Sequence, residues 1–123
     1  MKFLQIFLIA LVAFEHIYFM ILEMFLWTKP KGLITFGNTK EAAENSKVLA
    51  ANQGLYNGFI AAGLIWSILD KNYGTQIAIF FLSCVVIAGV YGAYSTNKLK
   101  LFLVQALPAI LALLIVLINM EIF

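Results

Sequence analysis

The sequence predicts an all-α, polytopic membrane protein whose four transmembrane helices form an antiparallel bundle. Of its 123 residues, 63% are hydrophobic and 11% are charged, and the mean hydropathy is +0.97. A soluble domain carries about 25% charged residues, so this chain has too few to cover a surface that faces water. Its apolar runs are long and unbroken, which favours spanning helices over the alternating strands of a membrane barrel.

Four apolar runs account for the predicted spans. They cover residues 3–27, 48–69, 76–94 and 99–118. Each run approaches or exceeds the ~20 residues that a helix needs to cross a bilayer. Charge, proline and glycine at residues 28–32 end the first run, and short polar turns at 70–74 and 95–98 separate the last three. Because short connections place consecutive helices side by side, we expect antiparallel neighbours within a single domain, residues 1–123.

The connection between the first two runs, residues 28–47, is the one long loop. Within it, the sequence from Asn38 to Glu41 has a capping residue followed three places later by a glutamate, a pattern typical of a helix start. We expect a short interfacial helix from Thr39 onward that runs into the second span. The apolar residues 33–36 are expected to lie at the membrane surface.

The distribution of lysines predicts the orientation. Six lysines lie on the side of the long loop and the third connection: Lys29, Lys31, Lys40, Lys47, Lys98 and Lys100. Only Lys2 and Lys71 lie on the side of the termini and the second connection. Because cytoplasmic loops carry an excess of lysine and arginine, the loop is expected in the cytoplasm and both termini outside.

Polar residues inside the spans gather at the depth nearest the long loop, whereas the other half of each span is almost purely apolar. Spacing places them on shared faces, since His16 and Glu23 are seven residues apart and Gln53 and Asn57 are four apart. A charge at mid-bilayer, where Glu15 and His16 are expected, costs about 2.5–3.5 kcal/mol. The candidate binding or proton-relay residues are Glu15, His16, Glu23, Asn52, Gln53, Tyr56, Asn57, Tyr91 and Gln105.

Structural roles for these residues stay open at this point. Tyrosines near span ends anchor helices at the interface, and amides can serve only as hydrogen bonds between helices. Glu15 and His16 could likewise form structural pairs with other helices. Gly54, Gly58 and Ala62 form a stripe of small residues at spacing four, which is a packing pattern.

Several classes of site and partner are excluded or disfavoured. The chain contains no H-E-x-x-H, no phosphate-binding glycine loop and no C-x-x-C. One histidine and the distant Cys84, which we interpret as a small buried apolar residue, do not make a zinc site. No cofactor or metal is therefore expected. All eight basic residues are lysines, without an arginine-rich stripe, so a nucleic-acid partner is not expected.

Two stretches carry a resemblance to a known family. "EHIYFMILEMFLW" and "NQGLYNGFIAAGLIW" together resemble small bacterial membrane proteins catalogued as domain of unknown function 1304. The resemblance extends over essentially the whole chain, including its length and four-helix layout. It implies a multi-pass protein of the bacterial cytoplasmic (inner) membrane with an unassigned role.

Three functional hypotheses follow. We favour binding or proton-coupled transport of a small or lipid-soluble molecule, in which Glu15 exchanges a proton that His16 and Glu23 relay. Four helices are few for a transport path, so this hypothesis requires a homodimer. One alternative is a membrane acid/base enzyme, such as an isomerase acting on a lipophilic substrate. The other is a structural or assembly subunit. A non-enzymatic role is favoured because nothing marks a second, independently tuned catalytic group.

Overall fold

The computed structural model describes residues 1–120, which form five α-helices and no strand. The helices are α1 (Phe3–Phe25), α2 (Pro30–Phe36), α3 (Lys40–Leu69), α4 (Gly74–Ser95) and α5 (Leu99–Met120). All except α2 are long and apolar enough to cross a membrane. The predicted fold class, an all-α protein with four transmembrane helices, is thereby confirmed.

The four long helices form a ring in which α1 packs against α3 and α5, and α4 packs against the same two helices. Neighbours are antiparallel. On α3, Gly54 faces Met24 of α1, and Gly58, further along α3, faces the earlier Met20. We call the end with the first residue and the α3–α4 turn the terminal end. The end with α2 and the α4–α5 turn is the loop end.

Local sequence explains how the chain crosses the loop end. Pro30 begins α2, where the sequence indicated only the end of the first span. Proline is suited to this place, because the first residue of a helix leaves its backbone N–H unpaired in any case. Gly37 ends α2 with φ +68°, a conformation that glycine adopts without strain. Thr39 then caps α3, its hydroxyl oxygen accepting the Ala42 N–H at 3.1 Å.

The helix that begins after Thr39 is continuous with the second span, because α3 runs unbroken for 30 residues. Its first two turns project beyond the apolar run and carry an exposed ion pair, with Lys47 Nζ 3.1 Å from Glu44 Oε2. Such a pair contributes little to stability, since both groups are well solvated. The projecting turns also form part of the structure around the loop end of the bundle.

The closely packed core lies in the half of the bundle nearest the terminal end. Each long helix contributes fully buried side chains to it, among them Ile9, Leu64, Leu82 and Val116. Lipid is as apolar as these side chains, so van der Waals packing rather than escape from water holds them together. Phe81 of α4 packs directly on Gly63 of α3, and its ring occupies the space that a Cβ at this position would need.

Small residues also bring the other helix pairs together. Gly89 of α4 lies against Ala106 of α5, and a Cβ there would lie 2.7 Å from the alanine Cβ. Gly54 and Gly58 of the small-residue stripe both face α1, whereas Ala62 is exposed. The stripe therefore divides between the α1–α3 contact and the outer surface of the bundle.

Candidate functional site

The loop-end half of the bundle encloses a cavity of about 650 Å³, which we call the central cavity. All four long helices contribute a polar side chain to its wall: Glu23 from α1, Asn57 from α3, Tyr91 from α4 and Gln105 from α5. Its volume lies within the ~300–1,000 Å³ typical of small-molecule sites. The depth segregation of polar residues in the sequence thus corresponds to a real space between the helices.

A carboxyl and an amide from neighbouring helices meet on the wall of this cavity. Glu23 is 4% exposed, and its Oε1 accepts a hydrogen bond from Nδ2 of Asn57. Gly54 lies one turn from Asn57, and a Cβ there would be 3.1 Å from Cβ of Glu23. The missing side chain therefore lets α3 approach α1 closely enough for the contact.

No cation pairs with Glu23. The single ion pair within residues 1–120 joins Lys47 and Glu44 on the exposed start of α3. Lys98 also lines the central cavity, but its Nζ donates to the Phe36 carbonyl oxygen at 2.6 Å and forms no ion pair with Glu23. An ionised Glu23 would thus rely on an amide and on whatever occupies the cavity for its neutralisation.

His16 lies behind Gln105 and does not line the cavity. Its ring is 1% exposed and has a partner at each nitrogen. Nδ1 donates to the Val12 carbonyl oxygen at 2.9 Å, and Nε2 lies 3.3 Å from Nε2 of Gln105. Both ring nitrogens are thus engaged inside the bundle. His16 therefore fixes the position of Gln105 at the deep end of the cavity.

Aromatic residues surround the mouth of the cavity at the loop end. Trp27 donates its indole N–H to Ser46 Oγ at 3.1 Å, and its ring centroid lies 4.9 Å from that of Phe36. The bond from Lys98 to Phe36 ties α2 to the start of α5. Together these contacts hold α2 across the end of the bundle.

The cavity also opens sideways between α3 and α4. Tyr56 and Tyr91 line it, yet they are 66% and 69% exposed. The close contact of α3 with α4, Gly63 against Phe81, lies nearer the terminal end. Between α3 and α4, the wall of the cavity therefore reaches the outer surface of the bundle beside these two tyrosines, at the depth of the spans.

The structure brings six of the nine predicted site residues to the central cavity: Glu23, Gln53, Tyr56, Asn57, Tyr91 and Gln105. His16 reaches it only through Gln105. Asn52 is exposed and does not line it. Glu15 is separate from it and faces a different space, described below.

Sequence analysis missed several residues of the wall. Cys84, interpreted as a packing residue, is half-buried and lines the cavity together with Ala88 and Ser95. These positions have the 4-3-4 spacing of one helix face with Tyr91. The periodicity around Tyr91 could have identified them, but the residues themselves carry too little polarity to attract attention.

Glu15 faces a groove of about 770 Å³ on the outside of the bundle, between α1, α2 and α5, which we call the outer groove. Its Oε1 is buried and has no hydrogen-bond partner. The two spaces share four lining residues, which lie between them: Phe19, Phe36, Lys98 and Leu101. The two intramembrane acids of α1 therefore belong to different sites.

Comparison with known proteins bears on most of the chain. A family model described as "Protein of unknown function (DUF1304)" matches residues 10–117. The chain is also 39% identical over 116 residues to "Uncharacterized protein YpaA" of Lactococcus lactis subsp. lactis (strain IL1403), covering 93% of this chain and 97% of that protein. No solved structure matches the chain.

Proposed function

This chain belongs to the family of proteins of unknown function DUF1304, and from its cavity we propose that it binds a small lipophilic cation within the membrane. One observation carries the proposal. Glu23 is a buried carboxyl on the wall of a ligand-sized cavity, and no cation within residues 1–120 pairs with it. A cationic ligand would supply the missing partner.

The rest of the wall suits such a ligand. Trp27, Tyr56, Tyr91 and Phe102 line the cavity beside Glu23. Aromatic faces attract cations through their quadrupole, and the attraction grows when water is excluded. Asn57 keeps the carboxyl directed by donating to one of its oxygens. A protonated alkylamine that carries an aromatic ring, or a quaternary cation, would therefore find both an ionic partner and apolar contacts.

The sideways gap between α3 and α4 offers a route from the lipid. Tyr56 and Tyr91 stand at this gap, with polar hydroxyls on otherwise apolar rings. A lipophilic molecule already dissolved in the bilayer would enter there, without passing through water. The route fits a protein that selects its ligand from the membrane.

Transport by proton exchange is a natural extension of binding. A proton and a ligand cation would compete for the Glu23 carboxylate, so release of one would accompany uptake of the other. With the long loop in the cytoplasm of a bacterial inner membrane and the termini outside, the cavity would open toward the cytoplasm. A second copy of the chain would complete the path to the other side.

The position of His16 makes an acid/base enzyme less attractive. Its two ring nitrogens are engaged by Val12 and Gln105, and the ring does not line the cavity. A general base must reach the proton that it removes, directly or through one water. His16 instead positions an amide, which favours binding over catalysis.

Equilibrium dialysis of the purified, detergent-solubilised protein against radiolabelled tetraphenylphosphonium tests the proposal. We expect saturable binding that weakens as the pH falls and that Glu23→Gln abolishes. Glu44→Gln is the matched control, because it removes an exposed acid outside the cavity. Equal affinity of Glu23→Gln and the unmodified protein would overturn the proposal. If binding depends on Glu23, proton-driven uptake of tetraphenylphosphonium into liposomes would distinguish transport from binding alone.

The proposed orientation has its own test. Asn45 is exposed on the projecting turns of α3, and a cysteine there avoids the left-handed backbone of Gly37. In a Cys84→Ala background, Asn45→Cys should resist a membrane-impermeant maleimide in intact cells and react after lysis. Labelling of intact cells would place the loop outside.

A further inference from the structure

We propose that the outer groove is a binding site for a membrane phospholipid with an anionic headgroup. The groove lies on the outer side of the four residues that it shares with the central cavity: Phe19, Phe36, Lys98 and Leu101. It therefore constitutes a second site, whose occupant need not be the ligand of the first.

The deep part of the groove presents a polar atom to an apolar space. Tyr18, Phe19 and Val104 line this part of the groove near Glu15, whose Oε1 is buried without a partner. Charge is disfavoured at this depth, so the carboxyl suits the groove as a neutral acid. A neutral carboxyl has an O–H to donate, and a lipid ester carbonyl is an acceptor that belongs in this environment.

The rim of the groove is electropositive. Lys98 and Lys100 both line it, and Leu99 to Leu101 are the first three residues of α5. The backbone N–H groups of a first helical turn have no intrahelical acceptors, and the helix dipole favours an anion there. Lys98 already donates to the Phe36 carbonyl oxygen, but an ammonium has three donors. A phosphate at this rim would meet complementary charge.

The spacing of the two polar features matches a phospholipid. His16 contacts Gln105, so neighbouring Glu15 lies near the depth of Gln105, five residues beyond Lys100 on α5. Five residues correspond to about 7.5 Å along a helix. In a glycerophospholipid the ester carbonyls likewise lie below the phosphate, and the acyl chains continue deeper. One molecule could therefore contact both Lys100 and Glu15.

The groove opens toward the surroundings of the bundle. Ile34 of α2, which lines the groove, is 80% exposed, and Val104 of α5 is also exposed. In a protein with four spanning helices, lipid is the surrounding medium at this depth. The positive rim then selects anionic lipids from that medium.

Native mass spectrometry of the whole protein tests this site. Micelles would contain equal amounts of phosphatidylglycerol and phosphatidylcholine with identical acyl chains. We expect preferential retention of one phosphatidylglycerol, weakened about fivefold by Lys100→Gln, which removes one interfacial charge. Lys71→Gln is the matched control, because Lys71 is an exposed lysine at the terminal end. It should leave retention unchanged.

Two substitutions of Glu15 test its role in the site. Glu15→Gln keeps a donor and should retain the lipid, whereas Glu15→Leu should weaken its retention. Circular dichroism melting of each variant establishes that it is folded, and Lys100→Gln tests the site independently of Glu15. Equal retention of the two lipids, or an unchanged affinity in Lys100→Gln, would overturn the proposal. So would a homodimer that Glu15→Leu dissociates without any change in lipid retention, because a second copy would then cover the groove.

Discussion

The two halves of the bundle are built from the same four helices but fill the space between them differently. Near the terminal end, side chains such as Leu64 and Leu82 are fully buried and interlock. Near the loop end, the same helices leave a cavity of about 650 Å³ around Glu23 and Asn57. In lipid, apolar surface gains little from burial, so cohesion must come from close packing. The comparison indicates that the half nearest the terminal end supplies the interlocked core, whereas close contacts at small residues in the loop-end half leave room for a site.

The contrast between Glu15 and Glu23 refines this comparison. Both are acids on α1, separated by about two turns, but one faces the outer groove and the other the central cavity. Glu23 has an amide partner within the protein, whereas Oε1 of Glu15 has none. A carboxyl inside the bundle is thus held in place, and one on its outer face is available to a molecule from the membrane.

The strongest test of this difference between the two halves is a substitution that creates a cavity in the packed half. Leu64→Ala should lower the free energy of unfolding by about 2 kcal/mol or more, because the surrounding side chains cannot fully collapse into the space. Leu101→Ala is the matched control, since Leu101 lies at the loop end, borders the central cavity and is not part of the packed core. Unfolding in mixed detergent micelles measures the free energy of unfolding of both variants. Equal losses would contradict the assignment of stability to one half.

A steric change at the α1–α3 contact should affect the site more directly. In Gly54→Val, the new side chain would begin 2.6 Å from Cγ of Met24, so α3 must move away from α1. Overpacking of this kind costs about 1–3 kcal/mol. We expect loss of tetraphenylphosphonium binding in a protein that still folds. Ala62→Val places the same side chain at an exposed position of the stripe and should bind normally.

Removing the amide beside Glu23 should have a smaller effect. Asn57→Ala deletes one hydrogen bond to the carboxyl and should weaken cation binding by about 1 kcal/mol, or roughly fivefold. Asn52→Ala is the control, because Asn52 is exposed and lies outside the cavity wall. Equilibrium dialysis compares the two. If Asn52→Ala weakens cation binding as much as Asn57→Ala does, the binding site includes a different part of α3 from the one proposed.

The smallest expected effect lies at the terminal end, where Asp70 orders the α3–α4 turn. Its Oδ1 accepts the backbone N–H groups of Tyr73 at 2.6 Å and Asn72 at 2.9 Å. The bond from Tyr73, the larger cause, holds the pKa of Asp70 below its usual 3.8. Because the folded value is the lower one, the stabilisation is present above pH 3.8 and is lost as the pH falls through the folded value.

A melting series from neutral pH to below 3.8 would detect this loss. The melting temperature of the unmodified protein should fall slightly more across this range than that of Asp70→Asn, which keeps an acceptor but does not titrate. Cation binding should be unaffected by Asp70→Asn at neutral pH, because the turn lies at the opposite end from the cavity. Parallel curves would show that the turn does not depend on the charge of Asp70.

The sequence alone determined the number of spans, their helical nature and the end at which polarity gathers. These features depend on composition and on helical periodicity, which are properties of each segment by itself. Spacing also placed Gln53 and Asn57 on one face, and both line the central cavity. It could not show that α2 would begin at Pro30, because a proline that ends one helix also suits the start of another.

Only the tertiary structure decided which polar residues meet. The order of helices around the ring and the rotation of each helix separated Glu15 from Glu23 and placed His16 behind Gln105. That order depends on where small residues such as Gly54 and Gly89 let helices approach. Because glycine has no side chain, the sequence alone does not show which residue it will contact. The close approach is evident only once the opposing residue, Met24 or Ala106, is located in the structure.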